Sequence, residues 1–293
     1  MSRSRGRRFD VARWQFLIPE SSCDQSPYIR NQLVENVIAA LEGKRGPALR
    51  RSRHATTWKV QIAEPSSEPK DIFVKQLDAR RGIVARAKAK SRAKRSEHVL
   101  QISEELRRLS FAVPSVLLIG ENRDTGNEVI VMSQARGFML TRWMNPSCQI
   151  DVTLRRAILH RLGAEIARLH LRGYIHGDLT PYNIFATGDD QTTISFIDHE
   201  GTERTSRVSI TAARNRMRNL VQLGHFDMPG VSRTDKLRVF ASYAAARGFS
   251  QRASRRSLSR LAKMIERRRK RDRATKRSAT QPATIGEGSA AGG

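Results

Sequence analysis

The sequence lacks the features of a membrane-spanning, secreted or disulfide-stabilised protein. No apolar run approaches the roughly 18 residues that a membrane-spanning helix needs. Before Pro19 the basic N-terminus is followed only by the short apolar run 16–18, which cannot form the core of a signal peptide. The two cysteines, Cys23 and Cys148, predict neither a disulfide framework nor a paired metal site. We therefore expect a cytoplasmic protein whose 293 residues form one two-lobed unit.

Acidic residues are also scarce, because 28 Asp and Glu face 54 Lys and Arg, giving a net charge of +26. The excess is concentrated in three stretches, with +4 over residues 1–13, +8 over residues 80–95 and +12 over residues 247–277. The rest of the chain is therefore almost neutral. This distribution predicts basic attachments on a neutral body, and such attachments favour a polyanionic neighbour.

The most informative motif is the polar stretch His176-Gly177-Asp178-Leu179-Thr180-Pro181-Tyr182-Asn183, which follows an apolar helical pattern. The strand-like run 194–197 then leads to a second acid, Asp198. Phosphoryl transfer needs a carboxylate to accept the proton of the attacking hydroxyl, and oxygen ligands for Mg²⁺. The spacing from Asp178 to Asn183, followed by an apolar strand ending in Asp198, is typical of kinase catalytic segments. We predict Asp178 as the catalytic base and Asn183 and Asp198 as metal ligands.

Upstream residues supply the other parts that a kinase needs. The run 71–75 reads as a strand that ends on Lys75, with an antiparallel partner at 56–62 and a turn at 65–69. We predict that Lys75 contacts the α- and β-phosphates of ATP. A helix over 95–109 has one apolar stripe and carries three glutamates. Glu97 is the preferred partner of Lys75, with Glu104 and Glu105 left open.

Two strands, at 113–120 and 128–132, precede a break in the pattern at 135–137. In a kinase this break is the hinge between lobes, so the backbone from Ser133 to Ala135 is predicted to bind adenine. The next apolar pattern predicts a helix ending at Gly173. The predicted fold is α+β and two-lobed, protein-kinase-like, with an antiparallel-sheet N-lobe carrying one regulatory-type helix and a larger, mainly helical C-lobe.

These motifs resemble those of the lipopolysaccharide core sugar kinases, the Kdo and heptose kinases of Gram-negative bacteria. The similarity covers about residues 48–225 and includes Phe73-Val74-Lys75-Gln76, the stretch from Ser91 to Glu97, the catalytic stretch and Phe196-Ile197-Asp198. It implies ATP- and Mg²⁺-dependent phosphorylation of a sugar hydroxyl on a lipid A precursor. At the position of a glycine-rich loop the chain has Leu49-Arg50-Arg51-Ser52-Arg53, so we predict that side chains such as Arg53 contact the nucleotide phosphates.

Departures from eukaryotic-type protein kinases favour a small-molecule or glycolipid substrate. Gly177 and Thr180 replace the usual Arg and Lys around the catalytic Asp, and Asp198 is followed by His199-Glu200-Gly201 in place of Phe-Gly. The absence of G-x-x-x-x-G-K-[ST] excludes a P-loop. The alternatives are an aminoglycoside- or choline-type kinase, and a catalytically dead kinase fold that acts as a basic scaffold on membrane or nucleic acid.

The chain divides into a basic N-terminal extension with an amphipathic helix (1–47), an N-lobe (48–135), a C-lobe (136–275) and a disordered tail (276–293). For the polyanion we favour the inner face of the inner membrane, with the protein a peripheral monomer, over nucleic acid, since no recognition motif is present. The stripe of Leu258, Leu261 and Ile265 could lie on a bilayer or dock on the larger lobe. A merely solvated tail remains the third interpretation.

Overall fold

The computed structural model describes residues 6–22, 27–44, 47–52, 54–64, 67–79, 94–189, 191–205 and 210–280. These residues form a small lobe built on an antiparallel sheet and a larger lobe that is mainly helical. The two-lobed α+β prediction is therefore confirmed.

The small lobe contains a seven-stranded antiparallel sheet in the order β1-β2-β6-β7-β5-β4-β3. Its strands are β1 (Gly6–Val11), β2 (Trp14–Pro19), β3 (Arg50–Arg51), β4 (Ala55–Glu64), β5 (Ser67–Leu77), β6 (Val116–Asn122) and β7 (Glu128–Ser133). Two helices, α1 (Pro27–Leu41) and α2 (Arg95–Arg108), complete the lobe. The strands around Lys75 pair as the sequence predicted, with Lys75 opposite Thr57 on β4 and Ile130 on β7.

The two helices cover opposite faces of this sheet, and the alternation of β5 decides which face Lys75 takes. Ile72 and Val74 are buried in the cluster that contains Leu33 and Val37 of α1. Leu77 is buried in the other cluster, with Val99 and Leu100 of α2. Because side chains along a strand alternate between faces, Lys75 lies on the α2 side of the sheet.

The N-terminal hairpin is a feature that the sequence did not predict. The prediction treated residues 1–47 as an extension, whereas β1 and β2 are two of the seven strands of the small-lobe sheet. Strand β2 pairs with β6, and its run 16–18 is almost fully buried. These three apolar residues therefore belong to the core of the small lobe. Helix α1 was predicted correctly and packs on the same sheet.

The larger lobe is organised around one long buried helix. Its helices are α3 (Leu140–Trp143), α4 (Val152–Leu171), α5 (Ile210–Gly224), α6 (Arg233–Ala246) and α7 (Gln251–Thr280). Short strands β8 (Phe138–Met139), β10 (Ile184–Ala186) and β11 (Ile194–Phe196) form one sheet, and β9 (Tyr174–Ile175) pairs with β12 (Glu203–Arg204). Of the apolar residues that predict this helix, Ile158, Leu162, Ile166 and Leu169 are buried on α4, and Leu154 is partly buried against the same core. The α4 helix delivers the chain directly to β9 and the predicted catalytic stretch.

Helix α7 docks on the larger lobe. Leu261 is buried, and Leu258 and Ile265 are partly buried against the same core cluster as α4 and α6. Near its C-terminal half, Arg269 donates hydrogen bonds to the His225 carbonyl and to Asp227 Oδ1 at 3.1 and 3.3 Å. Of the interpretations left open for this stripe, docking on the lobe is correct. Residues 281–293 of the predicted tail lie outside the described residues, and 276–280 continue the helix.

None of the helices in the described ranges combines the length and the apolar composition that crossing a membrane requires.

Gly163 provides a test of the packing of α4 on α6. A Cβ atom added at this residue would lie 2.2 Å from the carbonyl oxygen of Val239 on α6. Alanine is about 1 kcal/mol better than glycine in an isolated helix, but here the clash with backbone must dominate. We expect Gly163→Ala to lower the free energy of unfolding by about 1–3 kcal/mol, measured by denaturant titration. Arg161→Ala, at an exposed position of the same helix, is the control and should change little; equal stabilities for the two variants would contradict this packing.

Candidate active site

Asp178 and Asn183 are joined within one tight loop between β9 and β10. The Nδ2 atom of Asn183 donates to the Asp178 carbonyl oxygen and to Asp178 Oδ2, each at 2.9 Å. Since both partners are pure acceptors, the amide nitrogen must face them and Asn183 Oδ1 is directed elsewhere. Asn183 is buried, whereas Asp178 is exposed at the mouth of the loop. This leaves a fixed but accessible carboxylate next to the amide of Asn183.

The loop is tied to the end of β11, where Asp198 follows. The Ile197 N–H donates to the Asn183 carbonyl oxygen at 3.0 Å. His176 Nε2 donates to the Ile197 carbonyl at 3.0 Å, and its Nδ1 accepts from the Asp178 N–H at 3.2 Å. Burial lowers the pKa of His176, so its ring is neutral with the proton on Nε2. His176 therefore connects the segments of Asp178 and Asp198, and both its ring nitrogens are occupied.

Gly177 allows these two segments to approach closely. A Cβ atom on Gly177 would lie 2.3 Å from the Gly201 carbonyl oxygen, and one on Gly201 would lie 3.1 Å from Gly177 Cα. The arginine that protein kinases have in place of Gly177 would not fit against this backbone. Glycine replaces the usual arginine at position 177 because the catalytic loop is in direct contact with the turn His199–Gly201.

Lys75 meets two carboxylates of this turn. Its Nζ lies 2.8 Å from Asp198 Oδ1 and 2.5 Å from Glu200 Oε1, and only 15% of its side chain is exposed. Burial by itself would lower the pKa of Lys75, but the charges of Asp198 and Glu200 outweigh burial and raise it. Burial likewise opposes ionisation of Asp198, yet Lys75 holds the pKa of that carboxyl below its usual value. Lys75 and Asp198 are therefore both charged at neutral pH.

Asp198 has a left-handed backbone, with φ +67° and ψ +62°. A non-glycine residue in this region is uncommon and persists where the surrounding structure holds it in place. The turn that follows supplies this support, because buried His199 bonds the Phe196 carbonyl and the Thr202 hydroxyl, each at 3.1 Å. The Asp198 carboxylate is thereby directed to Lys75.

None of the three α2 glutamates considered as partners of Lys75 pairs with it in the structure. Glu97 lies 3.8 Å from Arg8 of β1, Glu104 accepts from Ser21, and Glu105 accepts from the Tyr174 hydroxyl at 2.6 Å. Successive residues on a helix are rotated by about 100°, and it is His98 that faces the turn, with Nε2 donating to the Thr202 carbonyl at 2.9 Å.

The other predicted nucleotide contacts are only partly described. The Ser133 N–H is already used, because it donates to the Ser115 carbonyl at 2.9 Å. Ala135 is buried directly after β7, at the junction of the two lobes. Arg53 lies outside the described residues.

Sequence reasoning missed three polar residues that hold the site. Glu200 is the second partner of Lys75. On α5, buried Asn219 bonds both the N–H and the carbonyl of His176, and Gln222 donates to the Gly177 carbonyl at 2.9 Å. Asn219 and Gln222 are three residues apart, which places them on one helix face. Their spacing on one face of α5 was the only signal in the sequence for this pair.

The donor set fits Mg²⁺. Magnesium usually binds one or two protein carboxylates and completes its shell with phosphate oxygens and water. The Asp198 carboxylate and Asn183 Oδ1 lie on segments joined by the hydrogen bond from Ile197 to Asn183. Among the described residues, no three His, Cys, Asp or Glu side chains form a ready-made metal cluster. These two oxygens would therefore hold the ion together with a nucleotide.

A family model described as the lipopolysaccharide kinase (Kdo/WaaP) family matches residues 49–243. No curated protein shows a significant match. Among solved structures, a double mutant of the PknI kinase domain from Mycobacterium tuberculosis is similar at 16% identity and a TM-score of 0.38, covering 74% of this chain and 93% of that domain.

Buried histidines around the site predict acid sensitivity. Burial lowers the pKa of His170 and His199 to about 3 and lowers that of His176 below its usual value of 6.5. Below pH 6.5 the unfolded chain binds protons that the native chain does not, so stability falls as the pH falls. From pH 7.5 to 5.5 we expect the free energy of unfolding to drop by on the order of 1 kcal/mol for each histidine.

Chemical denaturation at several pH values between 5 and 8 measures this effect. Carboxylates with lowered pKa values, such as Asp198 and Asp235, change the free energy of unfolding only as the pH approaches their unfolded pKa of 3.8. Their effect is therefore separate from that of the histidines, which occurs between pH 5 and 8. A free energy of unfolding that stays constant across that range would contradict the buried neutral histidines.

Proposed function

The chain belongs to the lipopolysaccharide kinase (Kdo/WaaP) family, and we propose that it transfers the γ-phosphoryl group of ATP to a sugar hydroxyl of the lipopolysaccharide inner core. The acceptor sugar is a Kdo or heptose residue carried by a lipid A precursor. The observation that supports this proposal most strongly is the convergence of Lys75 with Asp198 beside the Asp178–Asn183 loop, although Lys75 lies 123 residues before Asp198 in the sequence.

Asp178 acts as the catalytic base in this proposal. The acceptor oxygen forms a bond to the γ-phosphorus while the bond between that phosphorus and the β,γ-bridging oxygen breaks, releasing ADP. The hydroxyl proton passes to the Asp178 carboxylate, which is exposed to an acceptor and oriented by the Asn183 amide. Because its backbone N–H is bonded to His176, the loop need not rearrange for this step.

Lys75 would contact the α- and β-phosphates, and Asn183 Oδ1 and the Asp198 carboxylate would hold Mg²⁺. The bound ion would neutralise charge on the phosphates. The adenine lies at the junction of the lobes after β7. Since the Ser133 N–H is bonded to Ser115, the backbone around Ala135 provides the adenine hydrogen bonds. Arg53, outside the described residues, is proposed as a further contact of the phosphates.

A radiolabelled transfer assay tests the role of Asp178. With ATP, Mg²⁺ and lipid A precursors that carry Kdo or heptose, we expect Asp178→Asn to reduce transfer by about 10²- to 10⁴-fold, since the amide cannot accept the proton. Equal unfolding midpoints for the two proteins would show that folding is intact. Equal labelling by both proteins would contradict the mechanism and favour a different base, and the absence of labelling by the native chain would contradict the proposed substrate.

The protein is also proposed to attach to the inner face of the inner membrane through α7. The apolar side of this helix is docked on the larger lobe, so it cannot insert into a bilayer. The opposite side carries seven exposed cations within about 100° of the helix circumference and along about 29 Å of its axis. They are Arg252, Arg256, Arg260, Lys263, Arg267, Lys270 and Arg271. This cationic face can act only electrostatically, on anionic headgroups.

The basic segment 80–95 lies mostly outside the described residues, so α7 provides the test of attachment. Each basic residue near an anionic surface contributes about 1 kcal/mol. We expect a variant with glutamine at Arg256, Arg260, Lys263 and Arg267 to bind anionic liposomes about 10²- to 10³-fold more weakly. Binding of the native chain should fall with added salt and be weak on zwitterionic liposomes.

The matched control has glutamine at four exposed arginines outside α7. These are Arg156 and Arg161 on α4, Arg172 just after α4, and Arg233 at the start of α6. It loses the same net charge but leaves the cationic face intact, so it should retain most of the binding. An equal loss in both variants would mean that net charge, and not this face, governs attachment. Tight salt-resistant binding to zwitterionic liposomes would contradict an electrostatic mechanism.

A further inference from the structure

Lys75 is held by a residue that lies two positions after Asp198 on the same turn. The Lys75 Nζ contacts Glu200 Oε1 at 2.5 Å and Asp198 Oδ1 at 2.8 Å. The two acids would have different tasks once a nucleotide binds, because the Asp198 carboxylate is needed by the metal. Among the carboxylates that the structure describes, only Glu200 then remains as a partner for the lysine.

We propose that Glu200 is the positioning residue for Lys75, and that it replaces the helix α2 glutamate that the kinase pattern led us to expect. The inference rests on the proposed function and concerns the same site. Glu200 does not touch the substrate; it acts by keeping the Lys75 ammonium directed at the phosphates while Asp198 is released to the metal.

The backbone around Glu200 is fixed on three sides. His199 is buried and bonded at both ring nitrogens, and Thr202 is fully buried. Gly201 packs against Gly177 of the catalytic loop. From the small lobe, His98 of α2 donates to the Thr202 carbonyl. A carboxylate on this turn is therefore held in a defined position, as a positioning residue must be.

Helix α2 has no glutamate available for the task. Glu97 is turned toward Arg8, and Glu105 is bonded to the Tyr174 hydroxyl. Its contact with the site is instead the bond from His98 to the turn. The position of Lys75 thus depends on the large-lobe turn, and α2 supports that turn without contacting the lysine.

Loss of the Glu200 charge would leave Asp198 as the single carboxylate partner of Lys75. The lysine would then compete with the metal for Asp198, so more Mg²⁺ would be needed for half-maximal activity. The lysine would also be less well oriented in the transition state. We therefore expect Glu200→Gln to lower kcat/KM for ATP about 10- to 100-fold, the range for a lost charge-assisted hydrogen bond, and to raise the half-saturating Mg²⁺ concentration. Glu200→Asp retains the charge and should recover part of both.

Three further variants make the result specific. Glu203→Gln, at an exposed position three residues later, is the matched control and should behave as the native chain. Glu97→Gln tests the competing assignment to α2. Asp178→Asn reports on the proposed function itself, independently of the lysine. Unfolding midpoints of all variants distinguish a positioning defect from a loss of folding.

The outcomes separate the two claims. If the native chain transfers phosphate and the Glu200→Gln variant is equally active, this inference is overturned while the proposed function stands. A defect in Glu97→Gln without one in Glu200→Gln would return the role to α2. A reduced kcat/KM for Glu200→Gln with an unchanged Mg²⁺ requirement would also contradict it, because release of Asp198 to the metal is the core of the proposal.

Discussion

The ion pair between Lys75 and the Asp198–Glu200 turn is the interaction on which the rest of the site depends. Lys75 lies on a strand of the small lobe and the two acids lie in the large lobe, so this contact is one of those that join the two lobes. Burial alone would favour an uncharged lysine, but two carboxylates outweigh that effect. The left-handed backbone at Asp198 is unfavourable for a non-glycine residue, but it directs the carboxylate to Lys75.

The sequence predicted those parts of the fold and site that depend on local pattern. Strand alternation around Lys75, the apolar period of α4 and the spacing from Asp178 to Asn183 are all local, and the structure places these residues as expected. The partner of Lys75 could not be predicted in this way, because the choice between Glu97 and Glu200 depends on the rotation of α2 against β1. That rotation follows from the burial of Val99 and Leu100 against the sheet, and it leaves Glu97 beside Arg8 of β1, a strand that reads as a charged surface segment in the sequence.

Helix α7 shows how one amphipathic pattern is compatible with two environments. Its apolar stripe suits a bilayer as well as a protein surface, and only the contacts of Leu258, Leu261 and Ile265 with the large-lobe core distinguish them. Docking buries the apolar side of the helix against the large lobe and leaves the cationic face exposed. A proposed membrane contact of this kind would be reversible and sensitive to salt.

In its C-terminal half, helix α7 also contacts the 225–227 segment, where Phe226 packs against Tyr182 beside Asn183. The proposed attachment surface is thus linked structurally to the catalytic loop.

A crystal structure of the chain with Mg²⁺ and a non-hydrolysable ATP analogue would test the central claim most directly. It should show the α- and β-phosphates on the Lys75 ammonium, the ion on Asn183 and Asp198, and the γ-phosphate facing Asp178. Lys75 should remain in contact with Glu200 while its bond to Asp198 lengthens. A nucleotide bound away from Lys75, or an ion bound without Asp198, would contradict the assignment of this cleft as a kinase active site.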